Sequence, residues 1–69
     1  VMTKLQKIEE VLRLNGGYMT IQEIYDVLSG HNEGIDKKVI HNALNGADSS
    51  LAMKVTKNDT DNPQTYKLL

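Results

Sequence analysis

The chain has 69 residues, of which 39% are apolar and 25% are charged, and its formal net charge is −1. A chain of this length folds as one domain, here residues 1–69, and buries only about 60% of its unfolded surface, which leaves little material for an enclosed catalytic cleft. It has no cysteine, so disulfides, thiolate metal sites and a cysteine nucleophile are excluded. We expect a cytoplasmic domain that is not an enzyme and does not cross a membrane, because no apolar run approaches the roughly 18 residues that a membrane span needs.

The first predicted element is a helix over about residues 4–15. Thr3 and Gln6 have the spacing of a capping box, and Gly16 follows the last turn as a left-handed C-cap. The apolar residues that recur at helical spacing are Leu5, Ile8, Val11 and Leu12. This pattern is typical of an amphipathic helix with one buried face.

A second helix is predicted over about residues 21–29. Tyr18 and Met19 form a very short extended stretch before it, and Thr20 with Glu23 makes a second capping box. The apolar face of this helix would consist of Ile21, Ile24, Tyr25, Val27 and Leu28.

A third helix is predicted over about residues 36–45, after a polar turn that contains Gly30 and Gly34. Asp36 is the expected N-cap, and Gly46 is the expected left-handed stop. One arc of the helix holds Val39, Ile40, Ala43 and Leu44, and the opposite arc holds Lys37, Lys38, His41, Asn42 and Asn45. The polar and apolar residues are therefore cleanly divided between two faces.

Beyond the third helix the apolar residues recur at every second position, which predicts strands. Leu51, Met53 and Val55 alternate with polar or small residues, and Tyr66 and Leu68 repeat that alternation. The segment between the two runs is polar, so the strands are expected to form a hairpin over about residues 51–69 with a long, solvated tip.

The order helix, short strand, helix, helix, strand, strand resembles the winged-helix branch of the helix-turn-helix superfamily over essentially the whole chain. Residues 20–45 occupy the place of the helix-turn-helix, and residues 51–69 occupy the place of the wing. The resemblance implies an α+β fold with a three-helix core, a short strand and a C-terminal two-stranded wing. It also implies that the third helix is a recognition helix for duplex DNA. The turn between the second and third helices is longer than the 3 to 4 residues of a prototypical helix-turn-helix.

The polar arc of the third helix is the main functional signal. Lys38, His41, Asn42 and Asn45 lie at i, i+3, i+4 and i+7, and Lys37 lies beside them. Asn can pair bidentately with adenine, Lys can donate to guanine or phosphate, and His can donate or accept. We expect this arc to enter the major groove of double-stranded DNA, although a merely solvated helix face is the plain alternative.

The predicted wing adds Lys54 and Lys57, on or near its outward face, as phosphate contacts. Asp59 and Asp61 at the tip argue against deep insertion into the minor groove. Residues 35–69 carry five basic and four acidic side chains, so the basic surplus is small and one copy should bind DNA with modest affinity. A solvated hairpin that contacts nothing is the alternative.

Other functions have weaker support in the sequence. His31 and His41 have no cysteine or paired carboxylate at ligand spacing, so we expect no metal site, and no phosphate-binding loop or catalytic triad spacing is present, so we expect no cofactor. The serious rival is a protein-interaction module whose partner would bind an acidic face on the first two helices. That face would consist of Glu9, Glu10, Glu23, Asp26 and Glu33.

We therefore predict a DNA-binding domain, located in the cytoplasm, the nucleoid or the nucleus. It would act alone or as part of a larger regulatory or DNA-processing polypeptide.

Overall fold

The computed structural model describes residues 3–30, 34–60 and 62–69. Within them the chain forms a small α+β domain of three α-helices, a short 3₁₀ helix and a three-stranded antiparallel sheet. The elements in chain order are α1 (Lys4–Asn15), β1 (Met19–Thr20), α2 (Ile21–Ser29), α3 (Lys37–Asn45), the 3₁₀ helix (Ala52–Lys54), β2 (Val55–Asn58) and β3 (Thr65–Leu68). No helix in this described part is long and apolar enough to cross a membrane.

The first two helices begin at the capping boxes that the sequence predicts. The Thr3 hydroxyl accepts from the Gln6 N–H at 3.2 Å, and the Gln6 side chain accepts from the Thr3 N–H at 2.8 Å. The same reciprocal pair forms between Thr20 and Glu23 at 3.1 and 2.8 Å. Gly16 ends α1 in the left-handed region, with φ 73°. Each cap satisfies backbone donors that the first helical turn leaves free, which stabilises a helix by about 1 kcal/mol.

The third helix begins as expected but ends differently. Asp36 caps it by accepting from the Val39 N–H at 2.9 Å. Gly46 is not left-handed, because its φ is −69° and its ψ is 135°, so that prediction is wrong. Its N–H donates to the Asn42 carbonyl at 2.7 Å, and a Cβ at this position would lie 2.6 Å from the same carbonyl oxygen. A glycine ends α3 here because the backbone passes too close to the helix for any side chain.

The sheet has the strand order β1-β3-β2, so β3 is central and pairs antiparallel with both neighbours. Tyr66 lies opposite Met19 on one side and opposite Lys57 on the other, and Val55 lies opposite Leu68. Directly opposed residues project from the same face of a sheet, and alternate residues along a strand share a face. These five residues therefore lie on one face of the sheet, which we call the inner face because Met19, Val55 and Tyr66 are buried there.

The predicted strand start at Leu51 is wrong. Residues Ala52–Lys54 form a 3₁₀ helix that the Lys54 N–H closes by donating to the Leu51 carbonyl at 2.9 Å, and the strand begins at Val55. Leu51 is buried, whereas Met53 is 79% exposed. Because a 3₁₀ helix repeats every three residues, Leu51 can turn into the core while Met53 points away, and an alternating sequence does not distinguish the two geometries.

In the described part of the chain, one cluster of apolar side chains fills the space between the helices and the inner face of the sheet. Its buried members are Ile8, Leu12, Met19, Ile24, Leu28, Ile35, Ile40, Ala43, Leu44, Leu51, Val55 and Tyr66. Val27 was expected on the apolar face of α2 but is 47% exposed. That expectation is wrong because α2 buries Ile24 and Leu28, with Ile21 and Tyr25 partly buried beside them, and Val27 lies outside this arc of the helix.

Candidate nucleic-acid interface

The outer face of α3 presents the polar residues that the sequence singles out. Ile40, Ala43 and Leu44 anchor the helix in the core, so the opposite arc must face away from it. Lys38, His41 and Asn42 are all exposed on that arc. We call these three residues the exposed stripe. No carboxylate lies within α3, so its outer surface offers donors and a positive charge without an acidic residue of its own.

Asn45 continues the stripe in sequence but differs in its surroundings. It is half-buried, and its amide nitrogen lies 3.0 Å from the His41 carbonyl oxygen and 3.0 Å from the Tyr66 hydroxyl. The first bond lies within α3, and the second joins α3 to the central strand of the sheet. The side chain therefore connects two elements of the fold.

Lys37 lies at the edge of the polar arc and is directed toward α2. Its ammonium nitrogen is 5.4 Å from the centre of the Tyr25 ring. An exposed contact of this kind stabilises by about 0.5–1 kcal/mol, which is small enough for the lysine to exchange it for a phosphate. Lys37 is consequently a secondary cation at this surface.

Lys57 lies on the inner face of the hairpin, and the expectation that it lies on or near the outward face is wrong. Because β2 begins at Val55, the residue two positions later shares the face of Val55, opposite Tyr66. Tyr66 is only 2% exposed, whereas Lys57, its partner across the two strands, is exposed. The edge of the core therefore lies between β3 and β2 at this pair. Since the Tyr66 hydroxyl bonds to Asn45, Lys57 lies on the α3 side of the sheet. We call Lys57 together with the exposed stripe the α3–hairpin surface.

Lys54 has a different position from the one the sequence suggests. It belongs to the 3₁₀ helix, and its ammonium nitrogen lies 3.8 Å from a carboxylate oxygen of Glu9 in α1. The two side chains are 58% and 36% exposed, so the ion pair stabilises by less than about 1 kcal/mol. The two lysines that the sequence assigns to one hairpin surface thus occupy different parts of the molecule.

The tip of the hairpin is organised by its own side chains. The Asn58 side-chain oxygen accepts from the Thr60 N–H at 3.1 Å and from the Thr60 hydroxyl at 2.6 Å. The Gln64 amide donates to the Asp59 carboxylate. Asp61 lies outside the described residues. The tip residues bond among themselves, as polar turns commonly do.

Sequence reasoning missed the part that Tyr66 plays at this surface. Its position in an alternating strand predicts burial, and a buried tyrosine hydroxyl normally finds a hydrogen-bond partner. That rule could have indicated that a partner exists. It could not identify Asn45, because the pairing depends on where α3 crosses the sheet.

The acidic residues of the first two helices mostly engage neighbouring side chains or the backbone. Glu10 pairs with Arg13 and holds the pKa of that guanidinium above its usual value. The other engaged carboxylates are Glu9 with Lys54, Glu23 in its capping box, and Asp26, which accepts from Gln22 at 2.8 Å. Glu33 lies outside the described residues.

An open groove of about 660 Å³ between α1 and the 3₁₀ helix is lined in part by Glu9, Glu10, Arg13 and Lys54. Their charges offset one another, so the groove has no strong preference for a charged ligand of either sign.

No protein-family model, curated protein or solved structure matches this chain. The comparisons therefore assign no family, and the winged-helix resemblance stays a prediction. Within residues 3–30, 34–60 and 62–69, no three His, Asp or Glu side chains lie close enough together to hold a metal ion. His31 lies outside these ranges.

Proposed function

We propose that the chain is a winged-helix domain that binds double-stranded DNA with α3 in the major groove and the β2–β3 hairpin along the phosphate backbone. The observation that carries the proposal is the exposed, carboxylate-free stripe of α3, with Lys57 exposed on the face of the sheet whose Tyr66 bonds to the last turn of the same helix. The element order and the strand order β1-β3-β2 agree with a winged-helix arrangement.

The side chains of the α3–hairpin surface divide into base-reading and phosphate-binding groups. Asn42 is exposed and can present both a donor and an acceptor to adenine, which is the geometry of a bidentate base contact. His41 can donate to or accept from a base edge. Lys38 and Lys57 are the cations that would bind phosphates, with Lys37 as a third if it leaves Tyr25.

Few cations imply modest affinity and a shallow dependence on salt. Two or three phosphate contacts predict a slope of log affinity against log salt of about −1.8 to −2.7. Raising the salt from about 50 to 200 mM would then weaken binding by roughly 10- to 40-fold. A domain with so few phosphate contacts would reach tight binding through a second copy or a second domain.

The test is a fluorescence-anisotropy titration of labelled duplex DNA at low and moderate salt. The triple substitution Lys38→Ala, His41→Ala and Asn42→Ala should abolish the binding while circular dichroism shows an unchanged fold. Lys67→Gln is the matched control, because it also removes one positive charge but lies on the opposite face of the hairpin, with its ammonium 5.7 Å from the Tyr18 ring centre. Its affinity should equal that of the unmodified protein.

Two results would refute the proposal: no duplex binding at low salt, or a triple variant that binds as well as the unmodified chain. The first result would favour the rival protein-interaction function. That rival has less support from the fold, because the described carboxylates of its supposed acidic face already have intramolecular partners.

A further inference from the structure

Both N–H donors of the Asn45 side chain are used in hydrogen bonds within the protein. A side-chain amide nitrogen carries two hydrogens, and those of Asn45 lie within hydrogen-bonding distance of the His41 carbonyl and the Tyr66 hydroxyl, both at 3.0 Å. A bidentate contact to adenine needs one donor and one acceptor from the same amide. Asn45 would have to break one of these two bonds to make that contact, whereas the exposed Asn42 would not.

The bond to Tyr66 lies where α3 meets the sheet. Tyr66 is 2% exposed and belongs to the central strand, where it is directly opposite Lys57. Residues that face each other across an antiparallel pair have Cβ atoms about 4.5–5.5 Å apart. One short chain of contacts therefore runs from the last turn of α3 through Asn45 and Tyr66 to Lys57.

We infer that Asn45 is a positioning residue that holds α3 against β3 and so sets the separation between the exposed stripe and Lys57. The inference rests on the proposed DNA-binding function. Bases and phosphates lie at fixed separations in a duplex, so the stripe can read bases while Lys57 contacts the backbone only if the helix and the hairpin keep a fixed spacing. Asn45 acts on DNA binding through Lys57 and contacts no base.

The experiment measures the affinity of Asn45→Ala and Tyr66→Phe for a set of duplexes that differ by single base pairs. Both substitutions remove the hydrogen bond between Asn45 and Tyr66, and Asn45→Ala also removes the bond within α3 to the His41 carbonyl. Each should weaken all duplexes by the same factor, about 2- to 10-fold, since a net hydrogen bond has about that effect on an equilibrium. The double variant should bind as the single variants do, because the shared bond can be lost only once. Asn42→Ala is the matched control and should change the base preference.

A base-reading Asn45 would give a different result. Asn45→Ala would then alter the preference at one base pair, while Tyr66→Phe would leave affinity and preference unchanged, and the inference would be overturned. A second double-mutant cycle, of Asn45 with Lys57, separates a positioning role of Asn45 from a general loss of stability. In a Lys57→Gln background, Asn45→Ala should have little further effect on affinity, whereas additive effects would mean that Asn45 does not act through Lys57.

Thermal unfolding of the same variants distinguishes a failure of the inference from a failure of the proposed function. Additive losses of stability for Asn45→Ala and Tyr66→Phe would refute the connection between α3 and β3 even if DNA binds. If the unmodified protein binds no duplex, the proposed function fails and the role of Asn45 in DNA binding fails with it. Non-additive unfolding would then show that the connection itself exists.

Discussion

Replacing Lys57 with Gln removes one positive charge from the inner face of the hairpin and leaves the side chain close to its original length. Lys57 is exposed and stands opposite the buried Tyr66, so the substitution leaves the core intact. A change in DNA binding would therefore report the lost charge and not a lost fold. We expect every duplex to be bound more weakly, with the same sequence preference.

The magnitude follows from counterion release at a single phosphate. One contact contributes about 0.9 to the slope of log affinity against log salt. If the contact contributes nothing near 1 M salt, its loss weakens binding by about 15-fold at 50 mM salt and about 4-fold at 200 mM. The slope itself should become shallower by about 0.9.

The assay is a series of duplex titrations over that range of salt, with two charge-matched controls. Lys67→Gln removes a charge from the other face of the same hairpin, and Lys54→Gln removes one that lies against Glu9 of α1. Both controls should keep the slope of the unmodified protein. If Lys57→Gln also keeps that slope, or if Lys67→Gln loses as much, the assignment of DNA to the α3 side of the hairpin is wrong.

The remaining predictions test base recognition and the fold. Asn42→Ala should reduce affinity for the preferred duplex by about 1–3 kcal/mol at one base pair and relax the preference there, as competition with base-substituted duplexes would show; an unchanged preference would contradict it. Gly46→Ala should destabilise the domain by about 1–3 kcal/mol in urea unfolding, because its Cβ would lie 2.6 Å from the Asn42 carbonyl oxygen. Gly30→Ala should stabilise it by about 0.4–1 kcal/mol, since that residue has φ −81° and no neighbouring atom of the described residues lies within 4 Å of the place its Cβ would take; equal effects of the two glycine substitutions would refute the argument. Leu51→Ala should lower the free energy of unfolding by about 2–5 kcal/mol, whereas Met53→Ala should change it by no more than about 0.5 kcal/mol. A larger loss at Met53 would mean that Met53 is buried, as a strand that begins at Leu51 requires.

The helices could be read from the sequence because their signals are local. A capping box such as Thr20 with Glu23 joins residues three positions apart, and the buried Ile24 and Leu28 repeat at one helical turn. Such features need no knowledge of the rest of the fold. The bounds of α1 and α2 accordingly agree with those the sequence predicts.

Two predictions were wrong because the same residue at the same position fits more than one backbone geometry. A glycine after a helix commonly indicates a left-handed cap, but Gly46 is required by a close approach to Asn42. Leu51 is buried through a 3₁₀ turn and not through strand alternation. In both cases the sequence identifies the position correctly, and only the path of the backbone identifies the reason.

The candidate site could be predicted only in part. The stripe on α3 follows from helical periodicity, whereas the exposure of Lys57 on the face of Val55 depends on where the core ends along the hairpin. The contact between Asn45 and Tyr66 joins residues that are far apart in the chain. No local pattern determines such a contact, because it depends on how α3 packs on the sheet.

The central place of β3 has a consequence for how the chain acquires its structure during synthesis. The two residues of β1 and the four of β2 both pair with β3, which is the last of the three strands in the sequence. Neither outer strand can pair until β3 has emerged from the ribosome. The sheet should therefore assemble in one step, after the helices have formed. The buried Tyr66 enters the core in that step, and the α3–hairpin surface exists only after it is complete.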